Sequence, residues 1–263
     1  MRATNRTPMH APGRRRALIA GLGWVVGLDA RAGLVDVIAS VKRSVAAVGT
    51  FSTLENPRFG FRGSGFVVGD GNSLVTNAHV LPEALDGPAG PGFALQFLSE
   101  TGVPDLRSAR VVRADAAHDL VLLRFDGAPI PSLRIAEDKD VHEGLAVALI
   151  GFPIGGVLGF KPVTHRGIIS SITAVALPAS NSRQLDGKTL RALRAGPFDV
   201  YQLDATAYPG NSGGPLINAE TGELVGVVNM VLVKSTKESA LSQPTGISYA
   251  IPARFVGDLV RGP

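Results

Sequence analysis

Residues 63–80, Gly63-Ser64-Gly65-Phe66-Val67-Val68-Gly69-Asp70-Gly71-Asn72-Ser73-Leu74-Val75-Thr76-Asn77-Ala78-His79-Val80, set the pattern for the whole chain. Two apolar runs, 65–68 and 73–77, flank the cluster Gly69-Asp70-Gly71-Asn72. Gly, Asp and Asn tolerate the backbone angles of tight turns, and runs this short read as strands rather than helices. Similar runs recur at 95–98, 110–113, 119–125, 146–151 and 167–175, and again from 199 to 251. More than ten such segments, with no helical pattern of ten or more residues between them, predict antiparallel all-β structure. Helices are expected only at the edges. Residues 34–48 place apolar side chains at helical spacing ahead of a first strand at 47–51, and Phe255, Leu259 and Val260 predict a short closing helix. A long loop at 178–197, with a helical turn or two at 188–194, and a polar loop at 235–245 complete the reading.

Composition agrees with many short strands. The 263 residues are 45% hydrophobic and only 18% charged, with 32 Gly and 18 Pro. The chain has no Cys, which excludes disulfides, thiolate catalysis and Cys-based zinc sites. The net charge of +4 is confined to the N-terminus, where Arg2, Arg6, Arg14, Arg15 and Arg16 face the single acid Asp29. Beyond residue 30, 21 basic residues balance 21 acidic ones, so no nucleic-acid partner is expected. The arginines precede an apolar run at 17–28, too short to span a bilayer comfortably. Residues 1–30 therefore read as a signal peptide and residues 31–260 as the working domain. A periplasmic or secreted location follows, without stable membrane insertion once the leader is removed.

Three segments carry chemistry. Pro209-Gly210-Asn211-Ser212-Gly213-Gly214-Pro215-Leu216 surrounds a serine with glycines. Such a backbone turns tightly and aims amide N–H groups at one point, as a nucleophile with an oxyanion hole requires. His79 ends an apolar strand among small neighbours, and an imidazole can take up and return a proton near neutral pH, so it suits a general base. Asp119 opens the apolar run 120–123, where a carboxylate needs partners, and orienting an imidazole would supply one. His118 and Asp115 compete for these two roles. No cofactor is expected, and no His/Asp/Glu cluster has metal-ligand spacing.

These segments resemble, in order, the trypsin-like serine peptidases of the bacterial HtrA/Deg group. GSGFVV with LVTNAHV resembles the histidine segment, AHDLVLLRF at 117–125 the aspartate segment, and PGNSGGPL the nucleophile segment. VGVVN at 225–229 and GISYAIP at 246–252 resemble two later strands bordering the cleft. The resemblance implies two six-stranded antiparallel barrels, at about 45–140 and 141–253, with the cleft between them. It implies a triad of His79, Asp119 and Ser212, and an oxyanion hole from the N–H groups of Gly210 and Ser212. The pocket for the side chain before the scissile bond would have Thr206 at its base and Asn229, Met230, Val231 and Ile247 in its walls. That lining favours small to medium apolar residues in polypeptide substrates. Asn211 stands where activation by a new N-terminus needs an aspartate, so the resemblance implies activity without it. A monomer and a trimer both stay open. So does a catalytically inactive binding protein on the same scaffold. An α/β-hydrolase esterase fits Gly210-Asn211-Ser212-Gly213-Gly214 but not the chain order, since His79 and Asp119 precede Ser212.

Overall fold

A computed structural model describes residues 33–82, 92–99, 101–155, 159–175, 198–230 and 247–262. The leader at 1–30, the stretch 178–197, the loop 235–245 and Val231 lie outside the described residues. The strands form two closed antiparallel barrels. The first is built from β1 (Val45–Phe51), β2 (Phe59–Val68), β3 (Ser73–Asn77), β4 (Gly92–Leu98), β5 (Pro104–Asp115) and β6 (Leu120–Phe125). Around it the order is β1-β2-β3-β6-β5-β4. The second holds β7 (Ala146–Gly151), β8 (Val163–Val175), β9 (Phe198–Asp204), β10 (Pro215–Asn218), β11 (Leu224–Val228) and β12 (Ile247–Pro252), in the order β10-β11-β12-β9-β8-β7. Among the described residues two α-helices flank them, α1 (Leu34–Lys42) and α2 (Ala253–Arg261).

Burial on both strand faces explains why the apolar runs scarcely alternate. In β6, Val121 and Leu123 point into the first barrel, whereas Leu120 and Leu122 join a layer shared by both barrels. That layer gathers Phe66 and Val75 from one barrel, Ile150 and Val227 from the other, and Val256 and Leu259 of α2. Val147, Leu149, Ile169, Leu203 and Leu216 fill the second barrel. The cleft residues are therefore held by two rigid walls that share one core.

Two boundaries differ from the sequence reading. Helical spacing runs to residue 48, yet α1 stops at Lys42 and Val45 already belongs to β1. Residues 45–48 pair along β2, and Ala47 and Val48 along β4 as well, with the whole stretch at most 2% exposed, and this tertiary pairing overrides a weak local preference. Burial of Val37 and Val41 contributes roughly 3–6 kcal/mol, more than a nine-residue helix gains alone, and so docks α1. β5 is the other case: it runs from Pro104 to Asp115, far beyond the apolar run 110–113. None of its residues is buried, so its sequence is polar and hides its length.

Candidate active site

β3 ends at Asn77, and a single 3₁₀ turn, Ala78–Val80, carries His79 off the sheet. Asp119 occupies the turn between β5 and β6 at φ +53°, a left-handed conformation that aspartate tolerates better than most residues. Contacts from both barrels hold it there. Its carbonyl accepts the Ala78 N–H at 2.9 Å and Asn77 Nδ2 at 3.1 Å. Its carboxylate accepts the His79 N–H at 2.9 Å through Oδ1. Oδ2 takes His79 Nδ1 at 2.5 Å and Asn229 Nδ2 at 2.8 Å. An ionised carboxylate only accepts, so the imidazole proton sits on Nδ1 and the Nε2 lone pair faces away from the acid.

Ser212 lies in the turn that enters β10. Two glycines of this turn have left-handed backbones, Gly210 at φ +101° and Gly213 at φ +82°. A Cβ on Gly210 would stand 2.3 Å from the Phe152 carbonyl oxygen, and one on Gly213 would stand 2.2 Å from both the Ser64 carbonyl oxygen and Thr76 Oγ1. The first barrel thus presses directly on the serine turn, beside the histidine segment. A Cβ on Gly63 would touch the Val80 side chain at 2.8 Å and the Ser212 carbonyl oxygen at 3.0 Å. Ser212 Oγ accepts the Met230 N–H at 3.3 Å, and among the described residues no hydrogen bond joins it to His79. Nucleophile–base contacts are often long before substrate arrives.

The amides of this turn divide into two sets. Those of Asn211, Gly213 and Gly214 donate to the carbonyls of Tyr208, Val228 and Asn211, each at 2.9 Å. Those of Gly210 and Ser212 donate to nothing among the described residues. The Asn211 side chain is fully buried beside Gly151 and Ser64, and neither amide atom has a partner among the described residues. An aspartate there would be a buried, unpaired carboxylate, which is costly.

The competing pair has separate work. His118 Nδ1 meets Asp115 Oδ2 at 2.6 Å, and its ring stacks on Phe255 of α2 at 3.7 Å, with Phe198 edge-on at 4.8 Å. The two residues clamp the β5–β6 turn to the second barrel's flank. Burial alone would raise the Asp115 carboxyl, but the hydrogen bonds and charge of His118 outweigh it and the pKa lies below its ordinary 3.8. A depressed carboxylate stabilises the fold above its unfolded pKa, and that stability is lost as pH falls through the folded value. Asp115→Asn should therefore cost about 1–2 kcal/mol at pH 7, with the gap between parent and variant closing as acid protonates the carboxylate. Thermal melts from pH 7 to pH 3 measure this, and a gap that does not narrow in acid counts against the clamp.

Around the expected pocket, Thr206 is half-buried between Ala205 and Ala207, which Ser248 holds in place. Ser248 Oγ donates to the Ala205 carbonyl at 2.6 Å and accepts the Ala207 N–H at 3.0 Å. Ile247 is 46% exposed at the edge of β12, opposite Asp204 of β9, and Met230 packs on the core of the second barrel. Asn229, which the sequence reading put in a pocket wall, also has a contact with the acid. Its side chain is buried and its amide reaches Asp119, so it belongs to the histidine–aspartate cluster. Sequence carries no signal for this contact, because it spans 110 positions and both barrels. Among the described residues no helix is long and apolar enough to cross a membrane, and no three His, Cys, Asp or Glu side chains gather as a metal site.

Paired barrels with a histidine, an acid and a glycine-framed serine at their junction define a trypsin-like peptidase domain. The sequence matches the trypsin-like peptidase domain family over residues 63–227, and the chain belongs to that family. It is 30% identical over 197 residues to a probable periplasmic serine endoprotease, DegP-like, of Pseudomonas fluorescens, covering 75% of this chain and 34% of that one. It is 29% identical over 226 residues to the serine protease HTRA3 of Rattus norvegicus, covering 84% and 42%. The chain thus spans well under half the length of these relatives. Among solved structures, the HtrA-type protease AlgW with a decapeptide superposes with a TM-score of 0.62 at 22% identity, covering 88% of this chain and 67% of that one. The serine endoprotease from Yersinia pestis gives 0.60 at 23%, covering 88% and 66%. At that identity the two structures bear on the fold alone.

Proposed function

We propose that the protein is a serine endopeptidase of the HtrA/DegP kind, with His79 as general base, Asp119 as the acid that orients it and Ser212 as nucleophile. The observation that carries this reading is the 2.5 Å contact of His79 Nδ1 with Asp119 Oδ2, which leaves Nε2 as the basic nitrogen. Ser212 Oγ attacks the substrate carbonyl carbon while its proton passes to Nε2. The negative oxygen of the tetrahedral intermediate takes the N–H groups of Gly210 and Ser212. The C–N bond then breaks, the amine leaves with the proton from Nε2, and a water activated by the same nitrogen hydrolyses the acyl-enzyme. Asn229 steadies the acid from the second barrel. Residues 1–30 act as an export signal in this reading, and the enzyme works in the periplasm or outside the cell on unfolded or flexible polypeptides.

Thr206, at the pocket base, brings no charge to pair with Arg or Lys. With Met230 and Ile247 as apolar walls, the pocket takes Val, Ala, Ile and similar residues. An apolar pocket separates neighbours of this kind by only about 1–3 kcal/mol per methylene, so preference is broad. Digestion of a proteome-derived peptide library, with Ser212→Ala as blank, should give cleavage after small to medium apolar residues. Dominant cleavage after Arg or Lys would overturn the pocket assignment. No cleavage of any peptide or of denatured casein would leave an inactive binding scaffold as the better reading.

A further inference from the structure

We propose that Ser64 is a positioning residue for the oxyanion hole, an inference that rests on the serine-peptidase reading. Ser64 lies in β2 of the first barrel and is fully buried. All three of its polar groups are engaged at the barrel junction, the hydroxyl twice. Its N–H donates to the Ser212 carbonyl at 2.9 Å, and its carbonyl accepts Thr76 Oγ1 at 2.7 Å. Its hydroxyl donates to the Gly210 carbonyl at 2.6 Å and accepts the Phe152 N–H at 3.0 Å.

Three successive peptide planes decide where the two hole amides point, because C=O and N–H of a trans peptide face opposite ways. The Pro209 carbonyl accepts the Ile154 N–H at 2.8 Å, which turns the Gly210 N–H the other way. The Asn211 carbonyl accepts the Gly214 N–H at 2.9 Å, which does the same for the Ser212 N–H. The middle plane, Gly210–Asn211, is held at its N–H by the Tyr208 carbonyl at 2.9 Å and at its carbonyl by the Ser64 hydroxyl. Gly210 has no Cβ to restrict it, so this plane turns readily once one of its two holds is lost.

The same hydroxyl also anchors the outer plane. Ile154 has φ +59°, a strained value for a β-branched residue, and such strain persists only where its surroundings enforce it. The bond from Phe152 to Ser64 fixes the start of that strained turn, and the bond from Ile154 to Pro209 fixes its far side. One hydroxyl therefore links the turn that orients the Gly210 amide to the carbonyl that follows it. Removing it leaves the Phe152 N–H and the Gly210 carbonyl unpaired, takes one of two holds from the middle plane and loosens the turn that sets the outer one.

Ser64→Ala in the full chain tests this, with kcat and KM normalised to active sites by titration. Because the hole acts on the transition state, kcat should fall about 10²-fold while KM stays within about threefold. Binding of a peptide boronate, which places a tetrahedral oxygen in the hole, should weaken by a similar factor. The pH dependence set by His79 should not move. A purely structural role would lower the active fraction and the melting temperature but leave normalised kcat within about threefold of the parent, which overturns the proposal. If Ser64→Ala does not fold, Ser64→Cys keeps a weak donor of similar size. A several-fold drop in kcat at constant KM is then expected, and parent-like kcat overturns the idea. The underlying reading is tested separately by the parent and Ser212→Ala. A cleaving parent silenced by Ser212→Ala upholds it whatever Ser64 does, and a parent that cleaves nothing sinks both.

Discussion

Ser212→Ala should fold like the parent and lose about 10⁶-fold in kcat, the loss expected when a serine hydrolase is deprived of its nucleophile. Folding should survive because the hydroxyl does little structural work. Its one hydrogen bond among the described residues is from the Met230 N–H at 3.3 Å, and a bond of that kind contributes at most about 1 kcal/mol. The turn is held instead by backbone contacts that the substitution leaves in place: the Ser64 N–H on the Ser212 carbonyl, and the Gly213 N–H on the Val228 carbonyl. In the proposed mechanism the chemistry cannot survive, because nothing else in the turn can form the acyl intermediate. What remains is the electrostatic help of the two hole amides, which the substitution keeps and which alone sustain slow hydrolysis by water. A fluorophosphonate probe should label the parent and not the variant. Activity within about 100-fold of the parent, at unchanged melting temperature, would mean that another group attacks the carbonyl.

How much of this was legible in sequence depends on the distance over which each contact is made. Short strands and turn clusters are local, so 63–80 reads correctly as strand, turn and strand, and α2 appears where Phe255 and Leu259 predict it. His79 and Asp119 are legible because each abuts an apolar run, and the structure joins them. The end of α1 was hidden because pairing with β2 and β4, not helical spacing, decides residues 45–48. β5 was hidden because its surface position makes its sequence polar. Asn229 and Ser64 were hidden for a different reason. Their decisive bonds cross between barrels, 110 positions for Asn229 and 88 and 146 for Ser64, and nothing local marks an asparagine or a serine for such a task. The double barrel itself came from the resemblance rather than from periodicity, since strand runs buried on both faces do not reveal which sheet they close.

Asp119→Asn should lower kcat about 10⁴-fold with little change in KM, and the hydrogen bonds around the carboxylate give the reason. Three donors converge on the Asp119 carboxylate: the His79 N–H on Oδ1, and His79 Nδ1 and Asn229 Nδ2 on Oδ2. A carboxylate accepts all three, but an amide has one accepting oxygen and an NH₂ that must itself donate. If the amide oxygen takes the place of Oδ2, its NH₂ faces the His79 N–H, donor against donor. If the oxygen takes the place of Oδ1, its NH₂ faces Asn229 and can donate only to Nδ1, so the imidazole proton moves to Nε2. That tautomer offers Ser212 a donor instead of a base. The imidazolium formed during attack also loses the negative charge that stabilises it. Both routes damage the transition state more than substrate binding, so the loss belongs in kcat. Kinetics on active-site-titrated protein, with a melt to confirm the fold, measure the effect. A loss under about 30-fold would show that Asp119 only packs against His79 and that the orienting charge lies elsewhere.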